Sequence, residues 1–67
     1  MKNVLQTRIK NTRLTLEAAE ELRKTIEAAL EAGNETLVTE LMPSLLMLER
    51  SLMTEAARLI NELDKVA

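Results

Sequence analysis

The sequence predicts an all-α fold, one antiparallel helical hairpin of coiled-coil character spanning residues 1–67 as a single domain. Three observations lead to it. Glycine and proline occur once each and aromatic residues are absent, while Leu, Ala, Glu, Lys and Arg, all good helix formers, dominate. The one strong interruption, Gly33-Asn34, lies near the midpoint and separates two segments of similar length. Apolar residues in the second segment recur every seven positions, as in the seam of a coiled coil. A first helix over residues 4–32, a turn at 33–34 and a second helix over 35–66 follow.

On a wheel of about 100° per residue, the first helix gathers Leu5, Ile9, Leu16, Ala19, Leu22, Ile26, Ala29 and Leu30 on one face. Leu16, Ile26 and Leu30 mark its side of the hairpin seam. Glu17, Glu20, Glu21, Lys24 and Glu31 fall outside this face. Arg8, Thr12 and Arg23 interrupt it, and the aliphatic stems of the arginines are expected to lie along the core with their heads reaching water or a carboxylate.

The turn has a local chemical cause. Gly33 suits the left-handed position just beyond a helix end. Asn34 suits the N-cap of the next helix, where its side chain accepts from a free backbone N–H. Glu35 then complements the positive end of that helix.

The second helix carries more apolar surface than one neighbour can cover. Val38, Leu45, Leu52, Leu59 and Val66 form the seven-residue repeat of the seam, flanked by Leu37, Leu41, Leu48 and Leu63. A further row of Met42, Leu46, Met53, Ile60 and Ala67 widens the apolar arc to roughly half the circumference. A strip of that width marks a protein interface. Met42, Leu46, Glu49, Met53 and Ile60 are therefore the candidate partner-binding residues. Two architectures would cover them: docking into another protein's groove, or homodimerisation of two hairpins into a four-helix bundle.

Two residues within this strip resist a simple reading. Pro43 cannot donate to the carbonyl of Thr39 and falls on the polar side of the wheel. A kink there is expected, with a break and a new helix starting at Pro43 as the alternative. Glu49 lies within the apolar arc, where burial without a cation would cost several kcal/mol. Arg8, Arg23 or a charge from a partner would satisfy it, and such a lone polar group can fix register and partner choice.

Composition excludes much chemistry. With no His and no Cys, the usual acid–base, nucleophilic and zinc-binding groups are missing, and glutamates on open helix faces do not replace them. No enzyme, cofactor or metal is expected. Without aromatic residues there is no platform for stacked bases. A basic segment at Lys2, Arg8, Lys10 and Arg13 is the only feature directed at nucleic acid. Its simpler role is to face the acidic residues Glu62 and Asp64 across the hairpin. No run of about 18 apolar residues or signal-peptide block is present, so the expected setting is cytoplasmic, with no membrane partner.

In outline, the two similar helices, the central glycine and the stretch GNETLVTELMPSLLMLERSL (residues 33–52) resemble the small co-chaperones of bacterial type III secretion needle subunits. The match extends to a Leu-Glu pair ahead of an apolar run, here Leu48-Glu49, and departs in the absence of an aromatic from the second helix. It implies a cytosolic hairpin bound to a helical-repeat chaperone that holds the needle protein. Phage-encoded inhibitors and other small regulators share the outline. The expected function is thus a non-enzymatic interaction module of chaperone, adaptor or inhibitor type. A homodimeric bundle regulator, with weak nucleic-acid binding through its basic segment, is the alternative.

Overall fold

A computed structural model describes the backbone of residues 2–66 and the side chains of residues 4–65. Two helices account for nearly all of it: α1, Lys2–Glu31, and α2, Glu35–Val66. They pack antiparallel into a rod of 49 × 14 × 14 Å with a radius of gyration of 15.3 Å. A compact globule of this length would have a radius near 11 Å. The hairpin is therefore a single layer, each helix with one neighbour and the rest of its surface in solvent.

The turn is held by backbone geometry that only a few residues allow. Gly33 adopts φ 72°, and the Asn34 N–H reaches back to the Ala29 carbonyl at 2.8 Å while the Gly33 N–H bonds Leu30 at 3.1 Å. These two bonds form a Schellman motif that satisfies the last carbonyls of α1. Asn34 then starts α2: its side-chain Oδ1 accepts from the Leu37 N–H at 3.2 Å, and its carbonyl accepts from Val38 at 3.2 Å. One residue closes the first helix and caps the second.

Between the helices runs a seam at alternating intervals of three and four. From α1 it takes Leu5, Arg8, Thr12, Thr15, Ala19, Leu22, Ile26 and Ala29, all buried or half-buried. From α2 it takes Val38, Leu41, Leu45, Leu48, Leu52, Glu55, Leu59 and Glu62. Ala19, Ile26 and Leu45 form the buried centre, with Leu22, Val38, Leu41 and Leu48 packed against it. Alanines on α1 let the α2 backbone approach, and the branched side chains of α2 fill the gap. Full burial of a residue such as Ile26 or Leu45 contributes about 1.5–3 kcal/mol.

The seam differs from the sequence expectation on α1. Leu16 and Leu30 are 42% and 59% exposed and Ile9 is also exposed, so none of the three lies in the seam. Long helices in contact follow a repeat of 3.5 residues, so a wheel drawn at 3.6 rotates away by about 20° per heptad. Arg8 and Thr12 are seam residues, whereas Arg23 is exposed. On α2, Leu45 is buried and Val38, Leu52 and Leu59 are half-buried. The expected contributions of Val66, Ala67 and Lys2 fall outside the described side chains.

α2 continues without interruption through Pro43, which excludes a break with a new helix starting there. Pro43, Thr39 and Glu40 are exposed, so water can reach the Thr39 carbonyl that proline leaves without a backbone donor.

Candidate functional site: an outer apolar seam

On α2, a second set of residues repeats the alternation of three and four, about a quarter-turn around the helix from the first. It runs Met42, Leu46, Glu49, Met53, Ala56, Ile60, Leu63. Met53 is 75% exposed, Ile60 58% and Leu46 56%. α2 is thus built with two seams, and only one has a neighbour within the chain. In four-helix bundles each helix meets two neighbours at about this angular separation.

The apolar row of α1 lies on the same side. An antiparallel pair of helices is related by a two-fold axis normal to the hairpin plane, so equivalent heptad rows share a face. Ile9, Leu16, Arg23 and Leu30 follow the seam residues Arg8, Thr15, Leu22 and Ala29 by one position, as Met42, Glu49, Ala56 and Leu63 follow theirs. The hairpin therefore has one apolar broad face, wide on α2 and a single row on α1. The corresponding row of the opposite face carries Val4, Asn11, Ala18 and Thr25 with Leu37, Ser44, Ser51 and Arg58, apolar at its ends and small or polar between them.

Five residues expected from sequence to form the partner surface fall on this strip. Met42, Leu46, Met53 and Ile60 are exposed and Glu49 is half-buried at its edge. Sequence reasoning missed Ala56 and Leu63 as members of the outer seam, and Ile9, Leu16 and Leu30 as its continuation on α1. Counting alternate intervals of three and four through Ala19 and Ala29 on α1, and through Val38 and Leu45 on α2, gives the inner seam. Each of these five residues follows a seam residue by one position.

Charge is placed unevenly. Arg8 Nε lies 3.8 Å from Glu62 Oε1, both side chains less than one-third exposed, which joins the basic first segment to the acidic end of α2. That separation exceeds hydrogen-bond range, and Arg8 Nε is buried without a hydrogen-bond partner. Lys24–Glu21 and Arg58–Glu55, each at 3.6 Å, are surface pairs within a helix and contribute little. Among the described residues neither Arg23 nor Glu49 joins an ion pair. The two occupy the equivalent heptad row of α1 and α2, on the apolar face, Arg23 exposed and Glu49 half-buried.

Other features of the surface are slight. Shallow depressions lined by Val4, Thr7, Arg8 and Asn11, and by Glu35, Thr36, Thr39 and Glu40, are open to solvent. Among the described residues no group of three His, Cys, Asp or Glu is arranged to hold a metal ion, and no helix is long and apolar enough to cross a membrane. Fold and site together define a two-helix antiparallel hairpin with an unpartnered second seam. No family model, curated protein or solved structure matches the chain.

Proposed function

We propose that the chain is a non-enzymatic interaction module that works by docking the outer seam of α2 against a helix of another chain. One observation carries this reading: a second seam with regular heptad spacing is exposed to solvent at Met42, Leu46, Met53, Ile60 and Leu63, with Glu49 and Ala56 half-buried between them. Scattered surface hydrophobics do not repeat with the period of a coiled coil, whereas a surface shaped to receive a helix does. Met42 and Met53, unbranched and polarizable, suit such a surface because they adapt to a neighbour.

Within this class the chain acts as a small chaperone, adaptor or inhibitor. The resemblance of residues 33–52 to needle-subunit co-chaperones supports the first of these, with a helical-repeat chaperone as partner. A homodimeric bundle regulator is the second reading, favoured by the extent of exposed surface. The proposed setting is cytoplasmic and involves neither membrane nor cofactor. Nucleic-acid binding loses support because Arg8, the most central basic residue of the first segment, is engaged with Glu62.

The test is the double substitution Leu46→Glu with Ile60→Glu. It is expected to abolish association while leaving a helical chain by circular dichroism. Association that survives both charges would show that the docking surface lies elsewhere.

A further inference from the structure

We infer that the occupant of the outer seam is a second copy of this chain, with α2 packed antiparallel on α2 of its partner. This inference rests on the reading of the outer seam as a docking surface and takes the second of the two readings above, the homodimeric bundle, by naming what fills the seam and in which orientation.

Area is the first argument. The hairpin exposes 5331 Å², about a quarter more than the ~4,200 Å² of a compact folded monomer of its mass. The excess, on the order of 1,000 Å², is close to the ~800 Å² that each partner contributes to an interface of standard size. A second hairpin laid on the apolar face would bring the chain to the exposure of an ordinary folded protein.

The shape of the face selects the orientation. A closed homodimer uses the same face twice, and two arrangements bring the faces together. With the two turns at the same end, each α2 lies against α1 of the other chain. With the turns at opposite ends, α2 lies against α2 and α1 against α1. The outer seam of α2 is two rows wide, whereas α1 offers one apolar row bordered by Gln6, Arg13, Glu20 and Glu27. Only α2 of a second copy matches α2 in width, so the turns point apart.

Charge supports the same packing. Antiparallel α2 helices of full overlap place the two-fold axis near the middle of α2, within the stretch from Glu49 to Ala56. Glu49 is then covered by the partner, beside the small Ala56 or the flexible Met53, and draws Arg23 of its own chain over it. Loss of the arginine strands the carboxylate, and replacement of the carboxylate by an apolar group removes the cost of covering it.

The experiment uses the whole chain. Sedimentation across micromolar concentrations is expected to give twice the chain mass, and Leu46→Glu with Ile60→Glu to give the single chain. Arg23→Ala should weaken the dimer, and Glu49→Leu should tighten it by roughly tenfold or more. The chain has no cysteine, so Thr36→Cys, exposed beside the turn, accepts one spin label per copy. Turns at opposite ends place the two labels about 40 Å apart or more, given helices of about 1.5 Å rise per residue. Labels under about 20 Å apart would overturn the orientation. A wild-type chain that sediments as a monomer at every concentration overturns the second copy. In that event, binding of an apolar dye to wild type and not to the double variant keeps the outer seam as a docking surface. Equal dye binding by both removes that reading as well.

Discussion

The half of the hairpin next to the turn and the half at the open end are built differently, although the same seam runs through both. Near the turn the seam holds Ala19, Leu22, Ile26 and Ala29 against Val38, Leu41, Leu45 and Leu48, and every buried side chain described lies here. Toward the termini it holds Leu5, Arg8, Thr12 and Thr15 against Leu52, Glu55, Leu59 and Glu62, all only half-buried. The threonines there spend their hydroxyls on their own helix, Thr12 Oγ1 donating to the Arg8 carbonyl at 2.8 Å and Thr15 Oγ1 to Asn11 at 3.0 Å. The turn half is a small apolar core clamped by the Schellman motif and the Asn34 cap. The open half is joined by an ion pair too long to be a hydrogen bond.

This difference shows where the stability of a two-helix chain can come from. Four buried side chains, two of them alanine, are few against the conformational entropy of ordering two helices of 30 and 32 residues. On the outer face, by contrast, the row from Met42 to Leu63 runs through both halves and is apolar at every position but Glu49. What the inner seam lacks at the open end, the outer seam would supply under the proposed docking of another helix.

Substitutions break or sharpen the contrast, and all are read as urea midpoints at one fixed protein concentration, since association shifts them. The largest effect is expected at the centre of the turn half, where Leu45→Ala should cost about 2–5 kcal/mol. The matching change at the open end, Leu59→Ala, should cost well under half as much because Leu59 is only half-buried. Equal losses at the two sites would erase the distinction. Pro43→Ala restores the missing donor to the Thr39 carbonyl and should add about 1–3 kcal/mol, raising the turn half further. No gain would mean that water already satisfies that carbonyl at no cost. Gly33→Ala meets no steric neighbour but places a Cβ at φ 72°, so a loss of about 1–2 kcal/mol is expected from backbone conformation alone. The smallest change is the joint replacement Arg8→Leu with Glu62→Leu, which should be neutral or stabilising by about 1 kcal/mol and make the open end resemble the turn half. A clear loss of stability would assign the ion pair a larger share than its 3.8 Å separation supports.

Residues whose role depends on their immediate chain neighbours were legible in the sequence. Gly33 and Asn34 perform there what their backbone and side-chain chemistry predicts, and the helix ends fall within two residues of expectation. The seam of α2 was legible because leucine and valine mark it. That of α1 was legible in part: Leu5, Ala19, Leu22, Ile26 and Ala29 fall on the expected face, whereas Thr15 was missed and Ile9, Leu16 and Leu30 stand one position away from the seam. Helix packing selects a residue by its place in the 3.5 repeat, and small or polar residues are accepted where a half-buried site lets their polar groups reach their own backbone or water. Whether Pro43 ends a helix is likewise settled by the packing of the residues on either side. Glu49 illustrates both cases: its position in an apolar arc was plain from sequence, but that Arg8 pairs with Glu62 and so is not its cation required the pairing of the two helices.

The most direct test of the account is the dependence of the urea midpoint on protein concentration. If the outer seam is completed by a second copy, unfolding and dissociation are linked, and the wild-type midpoint rises as concentration increases. With Leu46→Glu and Ile60→Glu the midpoint should be lower and independent of concentration. A wild-type midpoint that stays constant over a hundredfold range of concentration would contradict it, because the hairpin would then be stable with its second seam uncovered.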